Sequence, residues 1–190
     1  AHSGLNDLLG GSGDFLPLEP VLPGTFATLS GSLAGGRVPS SWQVGTELTA
    51  GAGTALARLW TSAATSVRAP AGVDIALRGW VGVSAGDRIP QREFRLGGAR
   101  TLRGYEAGAF RGAAAYAASA TLWLAGRFIS PELFADVGQV AARRLAFGGR
   151  PRASVGAGLS ILWGLVRVHV ARPIESLARW RFDIVFASLR

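Results

Sequence analysis

Few side chains in this sequence could perform catalysis or hold a metal ion. The chain has two histidines, His2 and His169, and no cysteine, which excludes thiolate zinc sites, iron–sulfur clusters and a histidine-rich metal centre. Ser154 and Ser160 precede His169, but a serine hydrolase needs a serine, a base and an orienting group that converge in space. Neither serine lies in a G-x-S-x-G pattern. We therefore predict that the protein is not an enzyme and has no metal or cofactor.

The basic residues carry a second candidate chemistry, the neutralisation of nucleic-acid phosphates. All 20 basic residues are arginine, against 12 acidic residues, and the formal net charge is +8. The arginines are scattered singly along the chain, and Arg143-Arg144 is the only adjacent pair. A nucleic-acid-binding surface usually concentrates its charge in a run or on one face of a helix. The pattern predicts no nucleic-acid partner.

The most informative residues lie in a long loop predicted over 85–112. Its centre, residues 94–106, reads FRLGGARTLRGYE. Gly97, Gly98 and Gly104 allow backbone conformations closed to other residues, so the loop can fold tightly on itself. Arg103 offers a planar, permanently charged fork. Loops of this length are uncommon inside a compact domain and are usually functional, so we predict a functional loop.

The elements that hold this loop are predicted to be strands, because the hydrophobic pattern has a period of two. In residues 153–161 the apolar residues Ala, Val, Ala, Leu and Ile alternate with Ser and Gly. The pattern and its glycine and proline turns predict about nine strands, at 24–34, 42–49, 54–66, 72–84, 113–125, 132–141, 151–162, 164–172 and 179–188. No stretch predicts a helix, and none reaches the ~18 apolar residues of a membrane helix.

Two architectures fit antiparallel strands with one apolar face: a soluble sandwich or barrel, and a membrane barrel. The predicted strands are long, as in membrane barrels, whose strands run ~9–11 residues against ~5–6 in soluble proteins. The polar face carries Gly, Ser, Thr, Ala and isolated charges, which suits a barrel interior. Aromatic residues at strand ends suit interfacial girdles: Trp42, Phe128, Trp163 and Trp180. We predict an all-β, antiparallel transmembrane β-barrel of about eight to ten strands over 23–190, after an irregular N-terminal lead-in over 1–22.

Several charged residues are predicted to point into the barrel. Asp74 and Arg78, four residues apart on one strand, share a face, and we expect them to pair. We expect the other inward arginines to pair with inner carboxylates: Arg58, Arg127 and Arg167 with Glu47, Asp183 and loop carboxylates. His169 is predicted to be a neutral inward-facing histidine. These pairs would leave little net positive field for anion conduction.

The loop and the strands after it resemble the bacterial surface antigen superfamily, which comprises outer-membrane protein assembly barrels and two-partner secretion transporters. The resemblance covers roughly residues 70–190. The residues that match the family loop, a glycine pair followed by [VL]-R-G-[FY], are Leu96, Gly97, Gly98, Leu102, Arg103, Gly104 and Tyr105. Residues 134–140, FADVGQV, resemble the family strand F-x-D-x-G-x-V, which includes Asp136 and Gly138. Residues 154–173 resemble its glycine-rich penultimate hairpin.

The resemblance implies where this chain stands in the family barrel. That barrel has sixteen strands with the loop between strands eleven and twelve, and five strands are predicted here after the loop. Four precede it rather than eleven, so the chain resembles the C-terminal part of such a barrel, either as a fragment or as a reduced relative that closes on its own. The family's periplasmic POTRA repeats are not recognised.

The resemblance also implies a role for the motif. The family loop folds back into the barrel lumen, where its arginine pairs with acidic residues of the wall; here the partner is Asp136. Two features depart from the family pattern. No glutamate occurs between Glu106 and Glu132, although the family strand after the loop usually supplies one, and the chain ends FASLR rather than in an aromatic residue.

By resemblance, the protein resides in the bacterial outer membrane and inserts or translocates polypeptides there. Its partners would be outer-membrane lipid, client polypeptides and either a second copy or missing strands that complete the barrel. Two alternatives remain: a simple structural or pore-forming outer-membrane barrel, and a soluble β-barrel that binds an apolar ligand.

Overall fold

The structure is a computed structural model that describes residues 24–124, 126, 128–143, 146–162, 164–175 and 179–186. The predicted lead-in over 1–22, Arg127 and Trp163 lie outside the described residues. The described residues form eleven strands: β1 Phe26–Arg37, β2 Ser40–Gly51, β3 Thr54–Ala69, β4 Val73–Gly86, β5 Phe94–Leu96, β6 Phe110–Gly112, β7 Ala114–Leu124, β8 Ile129–Ala141, β9 Arg152–Ile161, β10 Val166–Pro173 and β11 Arg181–Phe186. Single turns of 3₁₀ helix occupy Pro70–Gly72 and Pro90–Arg92.

Nine of these strands form one antiparallel sheet in the order β1-β2-β3-β4-β7-β8-β9-β10-β11. Each strand pairs with the next main-sheet strand along the chain, which makes the sheet a meander. The predicted all-β, antiparallel fold and the predicted count of nine strands are confirmed. No helix of the described residues is long and apolar enough to cross a membrane.

The polarity of the sheet is the reverse of that in a soluble protein. Leu77, Leu133 and Phe182 lie on one face of the sheet and are 51%, 61% and 62% exposed. On the opposite face, Arg58 and Asp136 are both 3% exposed. The alternation therefore places the apolar residues outside and the charged residues inside, which is the pattern of a barrel with a polar interior.

The sheet has two ends with different connections. At the end that we call the turn end, strands are joined by residues 38–39, 70–72, 125–128 and 162–165. At the opposite end, which we call the loop end, residues 87–113, 142–151 and 174–180 make three long connections, and residues 52–53 make one short turn. Bacterial outer-membrane barrels have the same asymmetry, with short periplasmic turns and long extracellular loops.

The sheet is open: among the described residues, β1 pairs only with β2 and β11 only with β10. A meander of nine strands has its first and last strands running in the same direction. Closing β1 on β11 would therefore need a parallel pair, whereas every other pair in the sheet is antiparallel. The barrel fold predicted from the sequence is present, but these strands do not close it.

β8 begins at Ile129, three residues before the predicted start at residue 132. The prediction placed Pro131 in a turn, but in the structure this proline lies within the strand. The pairing of β8 with β7 ends at Glu132, so Pro131 has a partner only on the β9 side, where it faces Leu159. An edge-like position of this kind tolerates a residue without a backbone N–H.

Candidate functional site

Residues 87–113, which we call the inner loop, fold onto the concave face of the sheet and carry their own hairpin. β5 and β6 pair antiparallel within it. Its tip is tight: the Gly98 N–H donates to the Tyr105 carbonyl at 3.1 Å. Gly97, Gly98 and Gly104 have φ values of 113°, 89° and 91°, a region that side-chain-bearing residues rarely adopt. The motif glycines thus let the chain reverse within a few residues.

Apolar side chains of the inner loop press it against the sheet. Phe94 and Leu102 are 0% exposed and Leu96 is 1% exposed. They form one cluster with inward-facing residues of the wall, which include Trp60, Trp80, Ala115 and Ala117. Burial of three large side chains contributes several kcal/mol, at ~1.5–3 kcal/mol each.

Glycines of the wall make room for these side chains. A Cβ on Gly138 would lie 2.7 Å from Leu102 Cδ1, and one on Gly82 would lie 2.3 Å from Phe94 Cε1. The predicted motif partner Gly138 is therefore a packing position, beneath the leucine that precedes Arg103.

Arg103 and Asp136 meet at the centre of the concave face. Arg103 donates to Asp136 through Nε at 2.8 Å and through Nη2 at 2.6 Å, and its backbone N–H adds a third bond at 3.1 Å. Nη2 also reaches the hydroxyl of Ser119 at 2.9 Å. The two charged side chains are 9% and 1% exposed. A buried pair of this kind fixes the loop position because its two parallel bonds define both distance and orientation.

Glu132 supplies a second carboxylate that sequence reasoning did not assign. It lies on β8, four residues before Asp136, and its Oε1 is 3.9 Å from Arg103 Nη1. Phe134, between them in sequence, lies under the guanidinium, with Arg103 Cζ 3.4 Å from the ring centroid. The glutamate that the family pattern expects after the loop is absent here, and the corresponding strand β7 offers the hydroxyls of Ser119 and Thr121.

The cluster extends from Glu132 towards the edge of the sheet through His169. His169 Nε2 lies 2.5 Å from Glu132 Oε1. Gly158 stands between them in the sheet, and a Cβ there would lie 2.6 Å from His169 Cδ2. Asp183 on β11 is directly opposite His169. The register pairs Ser154 with Pro173, four residues from His169, or about 13 Å along the strand. The structure does not bring Ser154 and His169 together.

Tyr105 and Gly104 attach the end of the motif to the last strands. The Tyr105 hydroxyl donates to the Ala153 carbonyl on β9 at 3.2 Å, and its ring packs edge-on against Phe110. Burial raises the pKa of Tyr105 above its usual range, with nearby Glu175 acting in the same direction. Gly104 packs on the backbone of Arg172, where a Cβ would approach to 3.1 Å.

The inner loop contacts all nine strands of the main sheet. Its contacts with the nine strands, in order from β1 to β11, are Arg92–Thr28, Arg92–Glu47, Phe94–Arg58, Phe94–Trp80, Arg103–Ser119, Arg103–Asp136, Tyr105–Ala153, Gly104–Arg172 and Glu106–Arg181. Both edge strands are included, so the loop is the one element that joins β1 to β11 among the described residues.

The predicted Asp74–Arg78 pair is wrong, whereas the predicted Arg103–Asp136 pair and a pair between Arg58 and an inner carboxylate are present. Asp74 pairs with Arg68, not with Arg78, through bonds of 2.7 Å and 2.8 Å. Arg68 is directly opposite Asp74 on β3, whereas residues four apart on one strand are separated by about 13 Å. Arg58 pairs with Glu47 at 3.3 Å, as expected. Among the described residues, no group of histidines and carboxylates is arranged to hold a metal ion.

Comparison with known proteins gives a likeness in fold. No protein-family model matches the chain, and no curated protein matches it. A solved structure that does match is the crystal structure of BamA from Haemophilus ducreyi lacking POTRA domains 1–3, with a TM-score of 0.67 at 18% sequence identity. The match covers 82% of this chain and 40% of that chain, so this chain spans less than half the length of the BamA structure. The chain has the fold of part of the BamA barrel.

Proposed function

We propose that this chain is the C-terminal part of a barrel that spans the bacterial outer membrane and assists the insertion or translocation of polypeptides. The observation that carries the membrane placement is the apolar outer face. Large hydrophobic side chains are exposed on every strand of the main sheet, including Leu29 at 72% and Phe186 at 69%. In water such a surface would aggregate, whereas in lipid it is the stable arrangement.

Strand length supports the same placement. β3, β4 and β8 have 16, 14 and 13 residues, and a tilted strand needs ~9–11 residues to cross the hydrocarbon core. The long strands leave residues beyond the core at both ends. A soluble barrel with an apolar ligand inside would need the opposite orientation of the two faces, so the outward leucines argue against that alternative.

The packed lumen argues against a simple pore. The inner loop covers part of the concave face, and Phe94, Leu96 and Leu102 are fully buried against the wall there. Removal of the loop from the wall would require the Arg103–Asp136 bonds to break.

The open edges support a role in handling other strands. Among the described residues, β1 presents 12 residues and β11 presents six, each with one unpaired side. Such edges bind further strands through backbone hydrogen bonds. Because β1 and β11 run in the same direction, only an odd number of added strands closes the sheet with antiparallel pairs. A second copy inserted in the same orientation would give parallel seams, so missing strands or a client strand suit these edges better.

Membrane insertion is tested first by electrophoretic mobility of detergent-folded protein with and without boiling. A heat-dependent shift, together with insolubility when detergent is omitted, is the expected result. A monodisperse protein in plain buffer with no shift would refute the membrane placement.

Client handling is tested with liposomes that contain the folded protein and a small outer-membrane barrel as client. The client should fold faster than in protein-free liposomes. The chain has no cysteine, so Ser30→Cys on β1 can be cross-linked to single cysteines in the client, with Ala118→Cys on central β7 as control. A heat-modifiable protein that gives neither acceleration nor a β1-specific cross-link would be a structural barrel instead.

A further inference from the structure

A group of arginines lies at the loop end of the last four strands of the sheet. Its members are Arg143, Arg150, Arg172 and Arg179. None of the four makes an ion pair with a carboxylate of the described residues, whereas the neighbouring Arg152 pairs with Glu175 at 2.9 Å. Four fixed positive charges at one end of an apolar surface indicate a binding site for anions.

Arg172 differs from the other arginines because of the face on which it lies. On β10, Val166, Val168 and Val170 point outwards, and Arg172 follows them with the same alternation. Among the described strands of the main sheet, the other arginine that points outwards is Arg37, which lies at the turn end. Arg172 therefore lies at the boundary of the apolar outer face.

Trp180 completes this position from the neighbouring strand. It precedes β11, is 59% exposed, and has Arg172 Cζ 5.4 Å from its ring centroid. Directly below, Val170 pairs with Phe182, and both are exposed on the outer face. An arginine over a tryptophan thus caps a continuous apolar column that runs towards the turn end.

We propose that Arg172 and Trp180 bind the phosphate of an anionic lipid whose acyl chain lies along Val170 and Phe182. The inference rests on the membrane placement proposed above. The guanidinium fork matches two phosphate oxygens, and tryptophan favours the headgroup level of a bilayer. The apolar column beneath the pair distinguishes a lipid from a free anion, because only a lipid fills both parts of the site.

The test uses the full chain in nanodiscs and the quenching of tryptophan fluorescence by brominated acyl chains. The probe lipids are phosphatidylglycerol and phosphatidylcholine with the same brominated chains, and a Trp180→Phe variant isolates the signal of Trp180. Half-maximal quenching of Trp180 should need about fivefold less phosphatidylglycerol than phosphatidylcholine, since one arginine near an anionic surface contributes on the order of 1 kcal/mol.

Matched variants assign the preference to the site. Arg172→Gln should abolish the difference between the two lipids, whereas Arg37→Gln, the outward arginine at the turn end, should retain it. Equal quenching by both lipids, or an equal loss in Arg37→Gln, would overturn the proposal. The second arm of the test uses inorganic phosphate. If inorganic phosphate binds the detergent-folded protein as strongly as the lipid binds, the site belongs to a free anion.

The mobility shift on boiling is measured on the same protein. If the protein folds and shows a shift but has no anionic preference, only the lipid site is wrong. If no shift is seen, the membrane placement and the lipid site fail together.

Discussion

The central prediction concerns Arg103, whose removal should release the inner loop without unfolding the sheet. Arg103→Ala deletes two bonds to Asp136, one bond each to Ser119 and Thr121 and the contact with the Phe134 ring, while the backbone N–H bond to Asp136 remains. Loss of one partner from a buried pair costs about 3–5 kcal/mol, because the other charge stays buried without compensation. The backbone pairs of the sheet involve no atom of this side chain.

Hydrogen exchange of the loop amides measures this cost. The Gly98 N–H is bonded to the Tyr105 carbonyl and the Thr101 N–H to the Gly98 carbonyl, so both exchange when the loop opens. A loss of about 3–5 kcal/mol accelerates their exchange by roughly two to three and a half orders of magnitude. Asp136→Asn should act in the same direction, since it leaves the guanidinium without its nearest charge.

Arg68→Ala is the matched control. Arg68 forms an equally two-pronged pair with Asp74, but its side chain is 74% exposed, and exposed pairs contribute about 0–1 kcal/mol. Exchange of the inner loop should be unchanged in this variant. If Arg103→Ala accelerates exchange of Gly98 and Thr101 by no more than Arg68→Ala does, the arginine does not hold the loop.

Three further predictions follow from the same contacts. Gly104→Ala should destabilise the loop by more than Gly53→Ala in the same exchange measurement, since both glycines have positive φ values of 91° and 73° but only Gly104 faces a backbone. Leu133→Arg on the outer face should lower the free energy of unfolding in bilayers by about 2–4 kcal/mol, which the mobility shift on boiling registers as a smaller folded fraction. Ser32→Arg on the inner face of β1 should leave the folded fraction unchanged. Because burial raises the pKa of Tyr105, its bond to Ala153 is complete below the usual tyrosine range and is lost as pH rises through the raised pKa. Relative to the intrinsic base-catalysed rate, which rises with pH in both proteins, loop exchange should accelerate there in the wild type but not in Tyr105→Phe.

The sequence was sufficient for features that depend on local pattern. A period of two predicts the strands and their apolar face, and the glycines at positions 97, 98 and 104 predict a tight loop because only the backbone of glycine adopts those angles freely. The pairing of Arg103 with Asp136 came from a family resemblance, and no spacing rule would have produced it.

Features that depend on strand register were not accessible. Arg68 meets Asp74, and Glu132 meets His169 across Gly158, because particular residues of neighbouring strands are opposite one another. A shift of one residue would place each side chain on the other face. A wall residue such as Trp80 also gave no signal of its packing on Phe94, because no local pattern indicates where a loop residue will meet the wall.

The contacts of the inner loop explain how an open sheet keeps the centre of its polar face covered. A closed barrel holds its curvature by pairing its first strand with its last, and here the loop bridges them with Arg92 on Thr28 of β1 and Glu106 on Arg181 of β11. Both tethers are exposed and weak, while the Arg103–Asp136 pair between them is buried. The edges can therefore separate at small cost while the centre of the loop stays in place. Such a design suits a sheet whose edges must accept other strands, because binding at an edge need not first break the strongest contact of the lumen.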